Sequence, residues 1–267
     1  YNLREKVSEN MLASKHDVNA NDITMLEFNA EVVDGDNTEY VELRQFVQQN
    51  DLSDDQNYNY VINQIDIDNF MEYNIAQIYM DNRDYPGNNI KYWKVPGGKW
   101  RWVLYDTDFG FAGQWWSEWD QDYSYFFDTL DFVLSGNQTT WANPQWATLF
   151  MRKLVQNIGF RNKFINRYAD EMNTRYLPTN VTSHFLSIYE NMYDEMLNHI
   201  ERWTESEPWV NSETVYNFVD RMNNFAINRQ PEAKYHILQQ FNLDSYHELT
   251  LYNETPEIGY IILNNNF

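Results

Sequence analysis

The stretch IDIDNFMEYNIAQIYMDNRDYPGNNIKYWKVPGGKWRWVLYDTDFGF, residues 65–111, decides the fold. Its apolar residues recur at spacings of three and four as far as residue 82. This period predicts an amphipathic helix with one buried face, which begins at Asp66 or Asp68 because an Asp side chain can accept hydrogen bonds from the free amides of a first turn. The sequence DYPG at residues 84–87 disfavours helix, so the helix is predicted to end before it.

Two segments rich in Tyr, Trp, Val and Ile follow, at residues 89–95 and 99–105, with Pro-Gly-Gly between them. Aromatic and β-branched residues favour strands, and Pro-Gly-Gly favours a turn, so the pattern predicts a β-hairpin. Carboxylate and amide side chains are thereby concentrated at both ends of one hairpin. Such a placement suits the binding of a divalent metal and a phosphate, because Mg²⁺ prefers oxygen ligands.

Helical periodicity extends over most of the remaining chain. The predicted helices are 3–14, 40–47, one that begins at 52–55, and then 145–156, 160–175, 180–203, 212–228 and 231–241. Residues 19–36 and 113–140 are predicted to be irregular, and 249–252 and 260–263 to be two short final strands. The sequence therefore predicts a mainly α-helical α+β fold, with a central β-hairpin, a helical bundle and a short β element at the C-terminus.

The composition restricts the classes of partner. The formal net charge of −21 would repel nucleic acid and anionic lipid, whereas cations are natural partners. The chain has no Cys, which excludes disulfides and thiolate metal sites, and its five His lack the spacing of a zinc site. No run of about 18 apolar residues is present, so no membrane insertion is expected.

Two short motifs flank the predicted hairpin. Arg83-Asp84 is followed five positions later by Asn89, which gives R-D-x-x-x-x-N, the protein-kinase catalytic loop without its initial His. The sequence at residues 108–110 spells D-F-G, the metal-binding turn of the same chemistry. In that chemistry one Asp accepts the proton of the substrate hydroxyl, and the Asn and the second Asp hold Mg²⁺. Each motif alone is a weak signal, but their order and the hairpin between them strengthen the hypothesis.

Several longer motifs together resemble the CotH kinase family, the spore-coat-protein-H-like atypical kinases of bacteria. The family's pattern is an N-x-D loop, an Asn-and-Tyr strand, a K-W strand and a D-x-D turn, matched here by residues 82–84, 89–92, 99–102 and 105–111. Three later stretches also resemble members of the family, at residues 143–150, 160–170 and 199–203. The likeness covers roughly residues 1–241.

The resemblance implies a kinase-like C-terminal lobe over residues 1–241, followed at 242–267 by the start of a small β segment or of another domain. It implies that ATP and Mg²⁺ are bound, with Ca²⁺ or Mn²⁺ as alternative ions, and that Ser or Thr of a protein substrate is phosphorylated. By this resemblance Asp84 is the catalytic residue, and Asn89, Asp106 and Asp108 bind the cofactor and the metal. Asp106 matches the family's turn and Asp108 the general D-F-G, and both are kept because side chains two apart on a strand share a face.

The family has a β-rich N-terminal lobe with a basic residue for the ATP phosphates, ahead of the segment that matches residues 1–5. We expect that lobe to be missing from this chain. The alternative function is therefore a non-catalytic extracellular surface module that keeps the kinase-like fold and a divalent ion. The resemblance also implies a bacterial extracellular or cell-surface location, with a protein substrate or a surface protein as the partner.

Two features keep their own alternatives. Aspartates in and around the motifs are also candidates for a structural Ca²⁺ site, namely Asp81, Asp84, Asp106, Asp108, Asp120 and Asp122. A Trp-rich loop at residues 115–119 either covers a nucleotide, stacks on a sugar or simply packs on the domain. Long ordered loops in compact domains tend to be functional, but the sequence does not choose among these three.

Overall fold

The computed structural model describes residues 5–113, 123–135, 142–208, 210–255 and 257–259. Contacts between Cα atoms divide the chain into two compact units, Tyr1–Phe164 and Ile165–Phe267. Helices make up 55% of the structure and strands 7%, and the strands form one small antiparallel sheet, so the predicted mainly α-helical α+β fold is confirmed. In the described part of the chain, no helix combines the length and the apolar character needed to cross a membrane.

The first unit contains a sheet of four strands in the order β2-β1-β3-β4, all antiparallel to their neighbours. Its elements in chain order are α1 (Glu9–His16), a short 3₁₀ turn (Ala20–Asp22), β1 (Thr24–Glu27), β2 (Glu31–Asp34), α2 (Thr38–Gln49), α3 (Asp55–Gln64), α4 (Ile67–Tyr79), β3 (Lys91–Lys94), β4 (Arg101–Val103), a second 3₁₀ turn (Ser124–Phe126), α5 (Thr129–Leu134) and α6 (Leu149–Leu154). The predicted hairpin is confirmed as β3 and β4. Gly97 has a φ of +70° and the Gly98 N–H donates to the Val95 carbonyl over 2.9 Å, which is the geometry of a turn with glycine at its third position.

Alternate residues of β3 face opposite sides of the sheet, as the two-residue period of a strand requires. Tyr92 stacks on Tyr40 of α2, with 4.3 Å between ring centroids, and belongs to an aromatic core on that side. Trp93 points the other way and packs with Leu12 of α1 and with Met25 of β1. The hairpin is therefore covered on both faces, which makes it a rigid support for the loops at its two ends.

The second unit is formed mainly by two long helices, α8 (Pro178–Trp203) and α9 (Ser212–Phe241), which pack on each other. The helix α7 (Ile158–Met172) contains the boundary between the units. The sequence predicted two helices, 212–228 and 231–241, and this prediction is wrong, because α9 continues through Pro231. A proline inside a helix costs about 3 kcal/mol, and burial of Phe225, Ala226 and Ala233 on both sides of it offsets that cost.

Four further predictions of local structure are corrected. The first helix covers Glu9–His16 rather than residues 3–14, because Ser8 accepts a hydrogen bond from the Met11 N–H and so fixes the helix start. Residues 19–36 hold β1 and β2 instead of a loop, since Met25 and Leu26 are buried on opposite faces of the sheet. The helix α5 lies in the segment 113–140, which was predicted to be irregular. Residues 249–252 were predicted to be a strand and form none, and residues 260–263 lie outside the described residues.

Candidate active site at the ends of the hairpin

The first motif begins where α4 ends, in a Schellman turn. The Asn82 N–H donates to the Gln77 carbonyl over 3.2 Å, and the Asp81 N–H donates to the Ile78 carbonyl over 3.3 Å. Asp81 takes the left-handed position of this turn with a φ of +50°, a position that glycine usually holds. The direction in which the chain leaves the helix is thus fixed by backbone hydrogen bonds.

The side chain of Asp81 lies fully buried and paired. The Arg83 Nε is 2.9 Å from its Oδ2, and the Thr129 hydroxyl donates to its Oδ1 over 2.8 Å. The Arg83 guanidinium also lies over the Phe127 ring, 3.7 Å from the centroid. Because Phe127 and Thr129 lie at the start of α5, this group of four side chains anchors the first motif to a helix that follows much later in the chain.

Asp84, the predicted catalytic residue, is held by hydrogen bonds on both sides of its backbone. Its N–H donates to the Asn82 Oδ1 over 3.1 Å, and the Asn82 amide in turn donates to the Gln77 Oε1 over 2.8 Å. Its carbonyl accepts from the Asn88 N–H over 2.9 Å. Asp84 is only 6% exposed, so its carboxylate lies at the bottom of the loop rather than in bulk solvent.

Asn89 joins the two motifs through a single amide group. Its Nδ2 donates to the Asp84 Oδ2 over 2.9 Å, and also reaches the backbone carbonyl of Asp106 at 3.4 Å. Asn89 and Asp106 both have left-handed backbones, with φ of +50° and +51°. Residues held in such conformations cluster at functional sites. Because the Asn89 amide nitrogen makes these two contacts, the Oδ1 of Asn89 is the side-chain atom that could bind a cation.

The charges of Asp106 and Asp108 act on the carboxyl group of Asp84. Burial raises the pKa of the Asp84 carboxyl, a hydrogen bond from Asn88 opposes that rise, and the charges of Asp108 and Asp106 raise the pKa further. Both of the later acids are exposed, whereas Asp84 is buried. Three like charges near one loop repel one another, and a bound cation would relieve this repulsion.

The second motif is tied directly to the end of α4. The Phe111 N–H donates to the Met80 carbonyl over 2.8 Å, and the Gly110 N–H donates to the Thr107 carbonyl over 3.0 Å. A Cβ added at Gly110 would lie 3.1 Å from the Met80 Cβ, so the close approach of the two segments favours a glycine there. The two motifs are therefore fixed against the same helix end.

The side-chain oxygens near the two motifs do not form a metal site from protein groups alone within the described residues. In the described ranges, no group of three His, Cys, Asp or Glu side chains is clustered so as to hold a metal ion. Ca²⁺ takes six to eight oxygen ligands, and a site built only from protein would need such a cluster. Mg²⁺ commonly uses one or two carboxylates together with phosphate oxygens and waters, and Asn89, Asp106 and Asp108 carry oxygen atoms that could take part in such a shared site.

Of the four residues that the sequence predicted, the structure brings Asn89 into contact with Asp84 and with the backbone of Asp106. The charges of Asp106 and Asp108 raise the pKa of Asp84. The roles of Asn82 and of the Asp81–Arg83 pair were missed, although the first belongs to the N-x-D pattern itself. No sequence signal connects residues 81 and 83 with Phe127 and Thr129, because those contacts arise only on folding. Asp120, Asp122 and the Trp-rich loop at 115–119 lie outside the described residues.

One hairpin joins the R-D-x-x-x-x-N loop to the D-x-D-F-G turn. This is the arrangement of a kinase-related domain. The family described as CotH kinase protein matches residues 1–232, and the chain therefore belongs to the CotH kinase family. No curated protein and no solved structure matches the chain.

Proposed function

We propose that this chain contributes the catalytic and metal-binding part of a kinase that transfers the γ-phosphate of ATP to Ser or Thr of a protein. Asp84 orients the acceptor hydroxyl and takes its proton, and Asn89 with Asp106, Asp108 or both holds Mg²⁺. The observation that carries this proposal is the Asn89 amide, which contacts the Asp84 carboxylate and the Asp106 carbonyl at once. Asn89 belongs to the first motif and Asp106 to the second, and the two residues lie 17 positions apart in sequence. A contact between them supports a shared role for the two motifs.

The chain's own groups suit these roles. When Mg²⁺ is bound, it neutralises charge on the phosphate oxygens of the nucleotide. Burial and the neighbouring acids raise the pKa of Asp84, which brings a carboxyl group nearer to the pKa that general acid–base catalysis requires. The hydrogen bond from Asn89 to the Asp84 Oδ2 keeps the carboxylate in one orientation, so that it is positioned before an acceptor hydroxyl arrives.

The test is incorporation of phosphate from γ-labelled ATP into the protein itself and into casein, with Mg²⁺ present. Asp84→Asn and Asp106→Asn should each lower incorporation by about 100-fold or more, the usual scale for a lost acid–base or metal-binding group. Asp131→Asn, which removes an exposed acid from the first turn of α5, is the matched control and should leave incorporation unchanged. Comparing Asp106→Asn with Asp108→Asn assigns the main metal ligand.

Full incorporation by both Asp84→Asn and Asp106→Asn would overturn the proposal. Calorimetry of the wild-type protein with ATP and Mg²⁺, and separately with Ca²⁺, distinguishes the alternative class. Thermal stability that depends on a divalent ion, without any nucleotide binding, would indicate a surface module that keeps the fold but not the reaction. A bacterial extracellular or cell-surface location and a protein partner are also part of the proposal, and fractionation of the source cells tests the location.

A further inference from the structure

A groove with a volume of about 360 Å³ opens between α1 and the edge strand β4 in the first unit. Its apolar wall includes Met11, Leu104 and Tyr105. Leu104 is 47% exposed although it is a large apolar side chain, so the groove presents apolar surface to solvent. Ligand pockets in proteins begin at about 300 Å³, and this groove reaches that size.

One end of the groove carries three basic side chains, two of which are paired with carboxylates. Lys15, His16 and Arg101 all line it. Burial, together with the charges of Arg101 and then Lys15, lowers the pKa of the His16 imidazole. The chain has 19 Lys and Arg against 40 Asp and Glu, so a site where basic side chains converge is unusual for its composition.

A carboxylate from the chain itself already occupies this end. The Glu5 Oε2 lies 2.9 Å from the Lys15 Nζ, and their side chains are 60% and 57% exposed. Arg101 is paired less closely, with 3.5 Å between its Nε and the Asp66 Oδ2. Exposed pairs of this kind contribute little to stability, so a ligand that adds apolar contacts can replace Glu5 at Lys15.

We propose that this groove binds a carboxylate carried on an apolar body. The carboxylate lies among Lys15, His16 and Arg101, and the apolar body packs on Met11, Leu104 and Tyr105. A carboxylate is favoured because Glu5 shows that this group fits beside Lys15. The same chemistry is available from a free organic acid or from a glutamate flanked by apolar residues in a peptide. Because Tyr105 immediately precedes Asp106, a bound ligand lies next to the acidic turn, but its binding does not depend on catalysis.

The probes are 4-phenylbutyrate and the uncharged 4-phenylbutanol, titrated into the whole chain by calorimetry. We expect saturable binding of the acid with a Kd of about 1 mM or tighter, from the efficiency usual for a ligand of its size, and no measurable binding of the alcohol. Lys15→Gln and Arg101→Gln should each weaken binding of the acid about fivefold, the size expected of one partly exposed ion pair. Leu104→Asp should abolish binding, because it places a negative charge on the apolar wall.

Lys6→Gln is the matched control, since it removes one positive charge from an exposed position near Glu5 that does not line the groove. Its affinity for the acid should equal that of the wild type. A capped peptide with one glutamate between two leucines distinguishes the two sources: competition with 4-phenylbutyrate supports a peptide ligand, and its absence supports a free acid. Equal binding of the acid and the alcohol, equal weakening by Lys6→Gln and Lys15→Gln, or no saturable binding of either probe would overturn the proposal.

Discussion

The buried ion pair between Asp81 and Arg83 allows a quantitative test of how the first motif is held in place. The Asp81 side chain is 0% exposed and that of Arg83 only 18%. Arg83→Met keeps a long side chain beside Phe127 but leaves a buried carboxylate without its cation. Breaking a buried pair in this way usually costs about 3–5 kcal/mol, and the Thr129 hydroxyl still donates to Asp81. We therefore expect the free energy of unfolding to fall by about 3 kcal/mol, the lower end of that range.

A second ion pair in the same unit serves as the matched control. Lys163 and Asp68 are closer than the buried pair, with 2.6 Å between Nζ and Oδ1, but their side chains are 52% and 68% exposed. Lys163→Met removes the same charge as Arg83→Met. It should cost less than about 1 kcal/mol, because water screens an exposed pair and solvates the carboxylate that remains.

The assay is urea unfolding followed by Trp fluorescence. Eight of the ten Trp precede residue 165, so the signal reports mainly on the first unit. With a slope of about 2 kcal/mol per M, the Arg83→Met midpoint should fall by about 1.5 M. The double variant Asp81→Asn, Arg83→Met removes the buried charge together with its partner. Its loss of unfolding free energy should be smaller, by at least about 1 kcal/mol, than the sum of the losses of the two single variants. Equal losses for Arg83→Met and Lys163→Met, or additive losses in the cycle, would refute the argument that burial makes this pair important.

Two further substitutions test neighbouring parts of the first unit. Tyr85→Phe removes the hydroxyl that donates to the buried Asn74 Oδ1 over 2.5 Å, and leaving that oxygen unsatisfied should lower the free energy of unfolding by about 1–3 kcal/mol in the same urea assay. His16→Gln should make stability less dependent on pH between about 7.5 and 5. Burial and the charges of Arg101 and Lys15 lower the pKa of His16 in the folded state, so the unfolded state binds the proton more readily and the wild type loses stability as the pH falls through the unfolded value of about 6.5.

Each of these substitutions has a control or a result that would contradict it. Tyr60→Phe removes a hydroxyl from a residue that is 43% exposed and should change stability by less than about 0.5 kcal/mol. A Tyr85→Phe protein as stable as Tyr60→Phe would show that the Asn74 oxygen finds another partner. For His16, the free energies of unfolding of the wild type and of His16→Gln are measured by chemical denaturation at each pH. Parallel plots of the two free energies against pH would contradict the lowered pKa of His16.

The sequence by itself determined the central hairpin and predicted the residues of the candidate site. Both depend on local signals: the aromatic strands, the Pro-Gly-Gly turn, and the positions of Asp84 and Asn89 relative to the D-x-D-F-G turn. Local signals failed for β1 and β2, which have only four residues each. The strand β1 is held in the sheet by pairing with β3, where Met25 lies opposite Trp93. Such a pairing joins segments that are far apart in the chain, so neighbouring positions carry no sign of it.

The tertiary structure alone decided how the site is held together. The Asn89 amide reaches both Asp84 and Asp106 only because β3 and β4 return the chain to the end of α4. The pairing of Asp81 with Arg83, supported by Phe127 and Thr129, likewise depends on contacts between segments that are distant in sequence. Residue types and spacings can show which groups are available for chemistry. Their burial, and hence their pKa values and the cost of leaving them unpaired, follows only from the packing of the folded chain.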